Sequence, residues 1–391
     1  MSPDKSKDSK DGSKRKWFRM KPFRDEDEFW KRTTDGLELQ EIWAQFKEET
    51  REGYKVSSRE IDWNSIKQEK EPKRTFAIAG AVTQALYMKL TPARRVLLLV
   101  SLVFVFMAVI GIRIGVIPDA TWTILAAITL VMLLALELAE RVSMKRDLEI
   151  ARDIQSWLVP KEPPPIPGCD IAFITRPANT VAGDYYDAFL KEGGTTSTAS
   201  SRLFLVVADV AGKSVPAAML MATFQASLRT LAASSITLGE LTESLNRYAC
   251  AHSLNGRRFT TAFMAELDLE DSSLTYVAAG HNAPILRRAT GSIERLEAGG
   301  IPLGVQENWP YEIGETSLSP DDLLFIFSDG VSEAVNENNA EYGEFRLEEL
   351  LSLAPKEDAA ASLNRVLKSL DKFVGKKRQY DDITCLVLRK E

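Results

Sequence analysis

Histidine and cysteine are scarce in this chain of 391 residues, which has two of the first and three of the second. Cys169, Cys250 and Cys385 lie far apart and are odd in number, which excludes a disulfide framework and a cysteine-based zinc spacing; they read as reduced structural thiols. His252 and His281 are too few for a histidine-rich zinc site. No Ser-His-Asp or Cys-His arrangement offers a covalent nucleophile, and no Walker-type loop cradles a nucleotide phosphate. A charge excess of one sign is also missing: 49 Lys and Arg against 55 Asp and Glu leave a net −6, so no global basic field points to nucleic acid. The first residues are lysine, serine and aspartate rather than an apolar stretch, so no secretory leader is expected.

Long apolar runs, in contrast, are present. VLLLVSLVFVFMAVIGIRIGVI, 96–117, is interrupted only by Arg113, and as a helix it would extend roughly 33 Å, enough to cross a hydrocarbon core. After the turn signal Pro118-Asp119, a second run starts at Ala120 and carries no charge until Glu137. The two runs predict a transmembrane hairpin over 93–139, with spans at about 96–117 and 120–138; Arg113 can snorkel from near the helix end. Arg94 and Arg95 precede the first span, Arg141, Lys145 and Arg146 follow the second, and the connecting loop holds only Asp119. That asymmetry places both outer ends in the cytoplasm, as expected of a multi-pass protein of the inner (cytoplasmic) membrane.

The segments flanking the hairpin differ in character. Residues 1–16 are polar, low in complexity and expected to be disordered. Residues 17–92 hold Trp17, Trp30, Trp43 and Trp63 among dense charges, which suits either a membrane-surface or partner-binding segment or a small helical region packing on itself. Residues 137–160 read as a helical linker ending at Pro160. Within it Leu148, Ala151, Gln155 and Leu158 fall at 3-4-3 spacing, with Ile150, Ile154 and Trp157 on the neighbouring face. Two readings stay open: a short parallel coiled coil that makes a homodimer through 137–158, or a helix docked on the following domain.

Residues 161–391 predict an α+β domain, with stacked sheets in the middle and helices outside. Expected strands are Ile171–Arg176, Tyr185–Leu190, Leu203–Ala208, Thr261–Leu267, Leu274–Ala279, Ile285–Arg288, Leu323–Phe327 and Ile383–Leu388. Expected helices are Pro216–Ala232, Leu238–Ser253, Arg346–Leu353 and Asp358–Val374, and GGTTSTASS, 193–201, reads as a hairpin loop. Asp184, Asp209, Asp329 and Asp381 each sit where a strand begins or ends, in the contexts GDYYD, ADVAGK, SDG and DDIT. LFLVVA runs straight into Asp209 and LLFIF into Ser328-Asp329-Gly330, so buried strands deliver these carboxylates to one edge. Hard oxygen donors with little nitrogen or sulfur nearby suit Mg²⁺, Mn²⁺ or Ca²⁺ and point to metal-assisted hydrolysis or phosphoryl transfer.

PANTVAGDYYDAF, ADVAGKSVPAAMLMA, FTTAFMAELD, YVAAGHNAPILRR, GGIPLGV, LLFIFSDGVSEAVN, EYGEFRLEELL and DDITCLVL occur in that order and together resemble the SpoIIE/RsbU branch of the PPM metal-dependent protein phosphatases, over about 151–391. The resemblance implies an αββα sandwich that hydrolyses phosphoserine or phosphothreonine with two Mn²⁺ or Mg²⁺ ions. It implies Asp209 as the bridging carboxylate, with the Val210 carbonyl as a further ligand, Asp329 and Asp381 as other ligands, and Asp184 assisting directly or through water. Asp187 and Asp382 are read as fold-supporting neighbours. The chain departs from the family at Ala182 and Ser214, where glycine is usual, and Ala211 stands where animal-type members place a histidine, leaving the leaving-group acid unassigned. His281 reads as a structural hydrogen-bonding residue, and Lys213 as a solvated or capping residue that could also meet phosphate. The implied partner is a phosphorylated signalling protein, such as a STAS-type anti-sigma-factor antagonist. The alternative is a pseudophosphatase acting as a membrane-tethered scaffold.

Overall fold

The computed structural model describes residues 80–81, 83–84, 87–110, 119–191, 201–252 and 258–391. The expectations for 1–16, for most of 17–92, for Arg113 and Pro118, and for residues 193–200 lie outside the described residues. The chain divides into two units, Met1–Glu137 and Leu138–Glu391.

In the first unit, helix α1 (Pro92–Ile110) runs beside the start of α2 (Asp119–Leu158). Arg94, near the start of α1, bonds the Glu137 carboxylate and the Leu136 carbonyl, each at 3.0 Å, while the Phe104 and Trp122 rings lie 6.0 Å apart, so the helices are antiparallel. Proline is well placed at the first position of α1, where its missing N–H would be unused. Both helices are long and apolar enough to cross a membrane by length and composition. Over 96–110 of α1 and 120–136 of α2 the exposed surface carries no charged side chain, with Phe106 61% and Val109 79% exposed. The second span and the linker are a single helix of 40 residues, because no proline or glycine interrupts Asp119–Leu158.

In the second unit two sheets are stacked and covered by helices. One sheet orders β1 (Cys169–Arg176), β11 (Ile383–Lys390), β10 (Leu323–Phe327), β6 (Ile285–Arg287) and β7 (Ile293–Arg295). The other orders β2 (Tyr185–Lys191), β3 (Arg202–Val210), β4 (Thr260–Asp268), β5 (Ser273–Ala279) and β8 (Gly299–Gly300), with β9 (Gly314–Ser317) pairing β5. Helices α3 (Val215–Ala232) and α4 (Leu238–Ala251) belong to one outer layer, and α6 (Glu344–Ser352) and α7 (Ala359–Val374) to the other. The architecture is the αββα sandwich.

Period-two alternation explains how continuous apolar strands fill three cores. In β3, Leu203, Leu205 and Val207 enter the core between the sheets, whereas Phe204, Val206 and Ala208 meet Met221, Leu228, Leu241 and Leu245 of the helices. In β10, Leu324 and Ile326 face the other sheet, while Leu323, Phe325 and Phe327 pack on Leu347, Leu363, Val366 and Leu370. The Thr237–Glu240 capping box starts α4, and Asp358 caps α7 by accepting from the Ala361 amide. The expected strands and helices recur with ends shifted by one or two residues. Strands β7 to β9 and the four-residue helix α5 (Asp329–Ser332) are too short to carry a periodic signal and are new from the structure.

Candidate active site

Asp209 is the penultimate residue of β3, Asp184 immediately precedes β2, Asp329 follows β10 by one residue and opens α5, and Asp381 and Asp382 precede β11. Registers Tyr185↔Ala208 and Phe327↔Cys385 bring these strand ends to one end of the sandwich. Two glycines permit the close approach of the loops. A Cβ on Gly183 would lie 3.1 Å from the Val210 carbonyl and 3.5 Å from Asp209 Oδ1, and one on Gly330 would collide with the Asp382 carbonyl. The Val210 carbonyl therefore borders the Asp184 loop directly.

Polar contacts knit the two sheets together here. Asp382 accepts from the Ala178 amide and the Gly183 amide, both at 2.7 Å, so it ties the Asp184 loop to the start of β11. Ser328 Oγ donates to the Asp382 carbonyl at 3.2 Å and accepts from the Thr384 amide at 3.0 Å, which fixes the Ser-Asp-Gly turn against the same strand. Gln155 of α2 makes two bonds to the backbone of Ala182: its amide donates to the carbonyl at 2.7 Å and its oxygen accepts from the N–H at 3.0 Å. The Leu148, Ala151, Gln155 and Leu158 row is half-buried, whereas Ile150 and Ile154 are each 50% and Trp157 75% exposed. Of the two readings of this helix, docking on its own domain is the one that uses the 3-4-3 row.

The charges at this end are poorly compensated. Burial, then the neighbouring Asp209 charge, raises the Asp184 carboxyl well above its usual range, with Thr384 and Ser328 hydroxyls opposing. Burial raises Asp209 to about 7, assisted by Asp329 and Asp381. Burial and Asp381 raise Asp329 to about 6. Asp184 Oδ2 is buried without a hydrogen-bond partner. All-oxygen donors, an orphaned oxygen and mutual repulsion fit a hard divalent cation. Among the described residues no group of three or more His, Cys, Asp or Glu is yet drawn together closely enough to hold one as it stands.

Other singled-out residues separate from this group. Asp187, two residues beyond Asp184, is 1% exposed but accepts from Arg229 at 2.7–2.8 Å and from the Tyr185 hydroxyl at 2.5 Å. His281 is buried beside Thr261, its Nδ1 3.3 Å from Thr261 Oγ1, and burial pushes its pKa down to about 4. Lys213 pairs with Asp381 at 3.1 Å. Ser214 has φ 63 and ψ −151, a backbone region suited to glycine. The contacts of Gln155 and Lys213 carry no local sequence signal, since each joins segments distant in the chain.

The αββα fold with carboxylates gathered at one sheet end defines a PP2C-type domain, the class of protein serine/threonine phosphatases. Residues 199–391 match the family described as Stage II sporulation protein E. The chain is 29% identical over 252 residues to Phosphoserine phosphatase RsbU of Bacillus subtilis, covering 63% of this chain and 71% of that protein. It is 26% identical to Protein IcfG of Synechocystis over 282 residues, covering 66% of this chain but 43% of that protein. The SiaA-PP2C domain of Pseudomonas aeruginosa superposes with a TM-score of 0.54 at 18% identity, over 65% of this chain and 99% of that domain, a likeness of fold.

Proposed function

We propose that this chain is a membrane-anchored, divalent-metal-dependent phosphatase that hydrolyses phosphoserine or phosphothreonine on a cytoplasmic signalling protein. The observation that carries the reading is the set of poorly compensated carboxylates, buried Asp184 and half-buried Asp209 and Asp329, beside Asp381, with Asp184 Oδ2 left unpaired. In this reading Asp209, with the Val210 carbonyl as a further ligand, would hold the Mn²⁺ or Mg²⁺ ions together with Asp329 and Asp381, and Asp184 would serve the site directly or through water. Bound, such ions supply an acidified water and offset charge on the phosphoryl oxygens. The chain's own part is positional: Asp382 and Gln155 hold the Asp184 loop from two sides, and Ser328 fixes the turn that carries Asp329. His281 is buried and neutral, so it supports Thr261 rather than protonating a leaving group.

The helical hairpin is read as the anchor, because its apolar outer surface needs an apolar solvent. Positive flanks put the catalytic end in the cytoplasm of a multi-pass inner-membrane protein. The partner class is a phosphorylated STAS-type anti-sigma-factor antagonist, by analogy with relatives named phosphoserine phosphatase. The exposed Ile150, Ile154 and Trp157 offer a surface for a homodimer.

A second reading, a pseudophosphatase scaffold, draws on the carboxylates not yet being drawn together around one point. Hydrolysis of p-nitrophenyl phosphate by the full-length protein in detergent separates the two. Mn²⁺- or Mg²⁺-dependent turnover that Asp209→Asn abolishes supports the enzyme; absence of turnover with any divalent metal supports the scaffold. Comparing phosphoproteins between wild-type and Asp209→Asn cells identifies the partner.

A further inference from the structure

Lys213 lies in the loop between β3 and α3, four residues after Asp209, and its ammonium is turned back onto the carboxylate end. Nζ is 3.1 Å from Asp381 Oδ2, donates to the Tyr380 carbonyl at 2.9 Å and sits 3.7 Å from the centre of the Tyr380 ring. Its positive charge reaches Asp329 as well. The loop that presents it is held on both sides. Ala211 donates its N–H to the Phe259 carbonyl at 2.9 Å, Arg258 donates to the Ala211 carbonyl at 3.1 Å, and the next residue, Ser214, holds its glycine-like φ of 63.

Asp381 consequently has both oxygens engaged, Oδ1 by the Asp382 N–H at 3.0 Å and Oδ2 by Lys213. The first bond comes from the backbone of the next residue and is held by the turn itself. The second comes from a flexible four-carbon side chain that is 42% exposed, so it is the one that can leave. A divalent cation and an ammonium attract the same oxygen, and like charges at that separation oppose each other.

We propose that Lys213 is a built-in counter-ion of the carboxylate site: a divalent cation must displace it from Asp381 Oδ2, so Lys213 sets the cation affinity of the site. This rests on the reading of Asp381 as a metal ligand. The residue thereby holds one member of an otherwise repulsive group in place before metal arrives.

The test is calorimetric titration of Mn²⁺ into the full-length protein in detergent. Lys213→Met should bind about threefold to fivefold more tightly than wild type, the size expected for one partly exposed ion pair. Lys213→Arg should stay within about twofold, and so should Arg378→Met, which removes an exposed cation that lines the neighbouring cleft beside Lys377. A second readout needs no variant: amine-reactive labelling followed by mass spectrometry should modify Lys213 several-fold faster in Mn²⁺-saturated wild type than in metal-free protein, with Lys161, an exposed lysine between α2 and β1, unchanged. Affinity in Lys213→Met no higher than in Arg378→Met, or Lys213 labelling that ignores Mn²⁺, overturns the inference. If wild type binds Mn²⁺, Asp209→Asn does not, and Lys213→Met gains nothing, the counter-ion role alone falls. If wild type binds no divalent ion, the metal reading falls with it.

Discussion

Both ends of the sandwich bury acid, but they treat it differently. At one end Glu266, 4% exposed, lies between Lys191 at 2.7 Å and Arg202 at 3.2 Å, and Asp322 accepts from Arg288 at 2.8 Å and from the Ala289 and Ser319 amides. At the other end burial raises the protonation range of Asp184, Asp209 and Asp329, with Asp209 adding to Asp184, Asp329 and Asp381 adding to Asp209, and Asp381 adding to Asp329, while Lys213 is paired to Asp381 at the rim. The same strands join the two: β3 runs from Arg202 to the Asp209 end, and β10 runs from beside Asp322 to beside Asp329. Burying an unpaired charge costs several kcal/mol, and a fold that satisfies it at one end has the means to do so at the other. Leaving it unsatisfied at one end is therefore the mark of a place built for a ligand of opposite charge.

The largest expected break in that comparison is Asp209→Asn, which should lower metal-dependent turnover of p-nitrophenyl phosphate on the order of a thousandfold, about 4 kcal/mol, while the protein still folds. The matching change at the compensated end, Glu266→Gln, should do the reverse. It strands Lys191, so denaturant unfolding should show a loss of about 3–5 kcal/mol, with turnover per folded molecule within about twofold. If Glu266→Gln lowers turnover as Asp209→Asn does, the division of labour between the ends is wrong.

The pH dependence sharpens the same contrast. Asp209 and Asp329 have folded-state pKa values of about 7 and about 6, above their unfolded values, so their contribution to stability is complete in acid and is lost as pH rises through 6 to 7. Metal-free protein should therefore lose melting temperature between pH 5 and pH 8 relative to Asp209→Asn, and Mn²⁺ should restore it at pH 8. Equal pH profiles for the two proteins would refute the uncompensated state. The smallest effect is expected of Ser214→Gly. It relieves a backbone position that costs a non-glycine residue about 1–3 kcal/mol, less about 0.5–1 for glycine's added unfolded-state freedom. No cap is lost, because the Ser214 side chain makes no capping bond. Thermal melting should rise by roughly 2–4 °C.

Much of the site could be read along the chain because strands declare themselves. The apolar runs ending at Asp209 and Asp329 are buried on both faces, so their termination by a charged residue marks a sheet edge. Asp382 as a fold-supporting neighbour follows from its place beside Asp381, and its bonds to the Ala178 and Gly183 amides give that role a geometry. Asp184 and Asp187 share one motif and similar burial, and the cation that distinguishes the satisfied member from the unsatisfied one, Arg229, lies 42 residues away. Gln155 reads equally well as a coiled-coil seam or a docked face until Ala182 is placed against it.

The sequence by itself determined the apolar hairpin, the alternation of strands and helices and the identity of the carboxylates, since periodicity and composition act over neighbouring residues. Tertiary structure alone decided that α2 is one helix whose Gln155 grips the Asp184 loop, that Asp187 is neutralised, and that Lys213 holds Asp381. Those outcomes depend on which charges and amides meet across tens to hundreds of residues of chain, and electrostatics in a buried site is set by distance in space rather than by order along the chain.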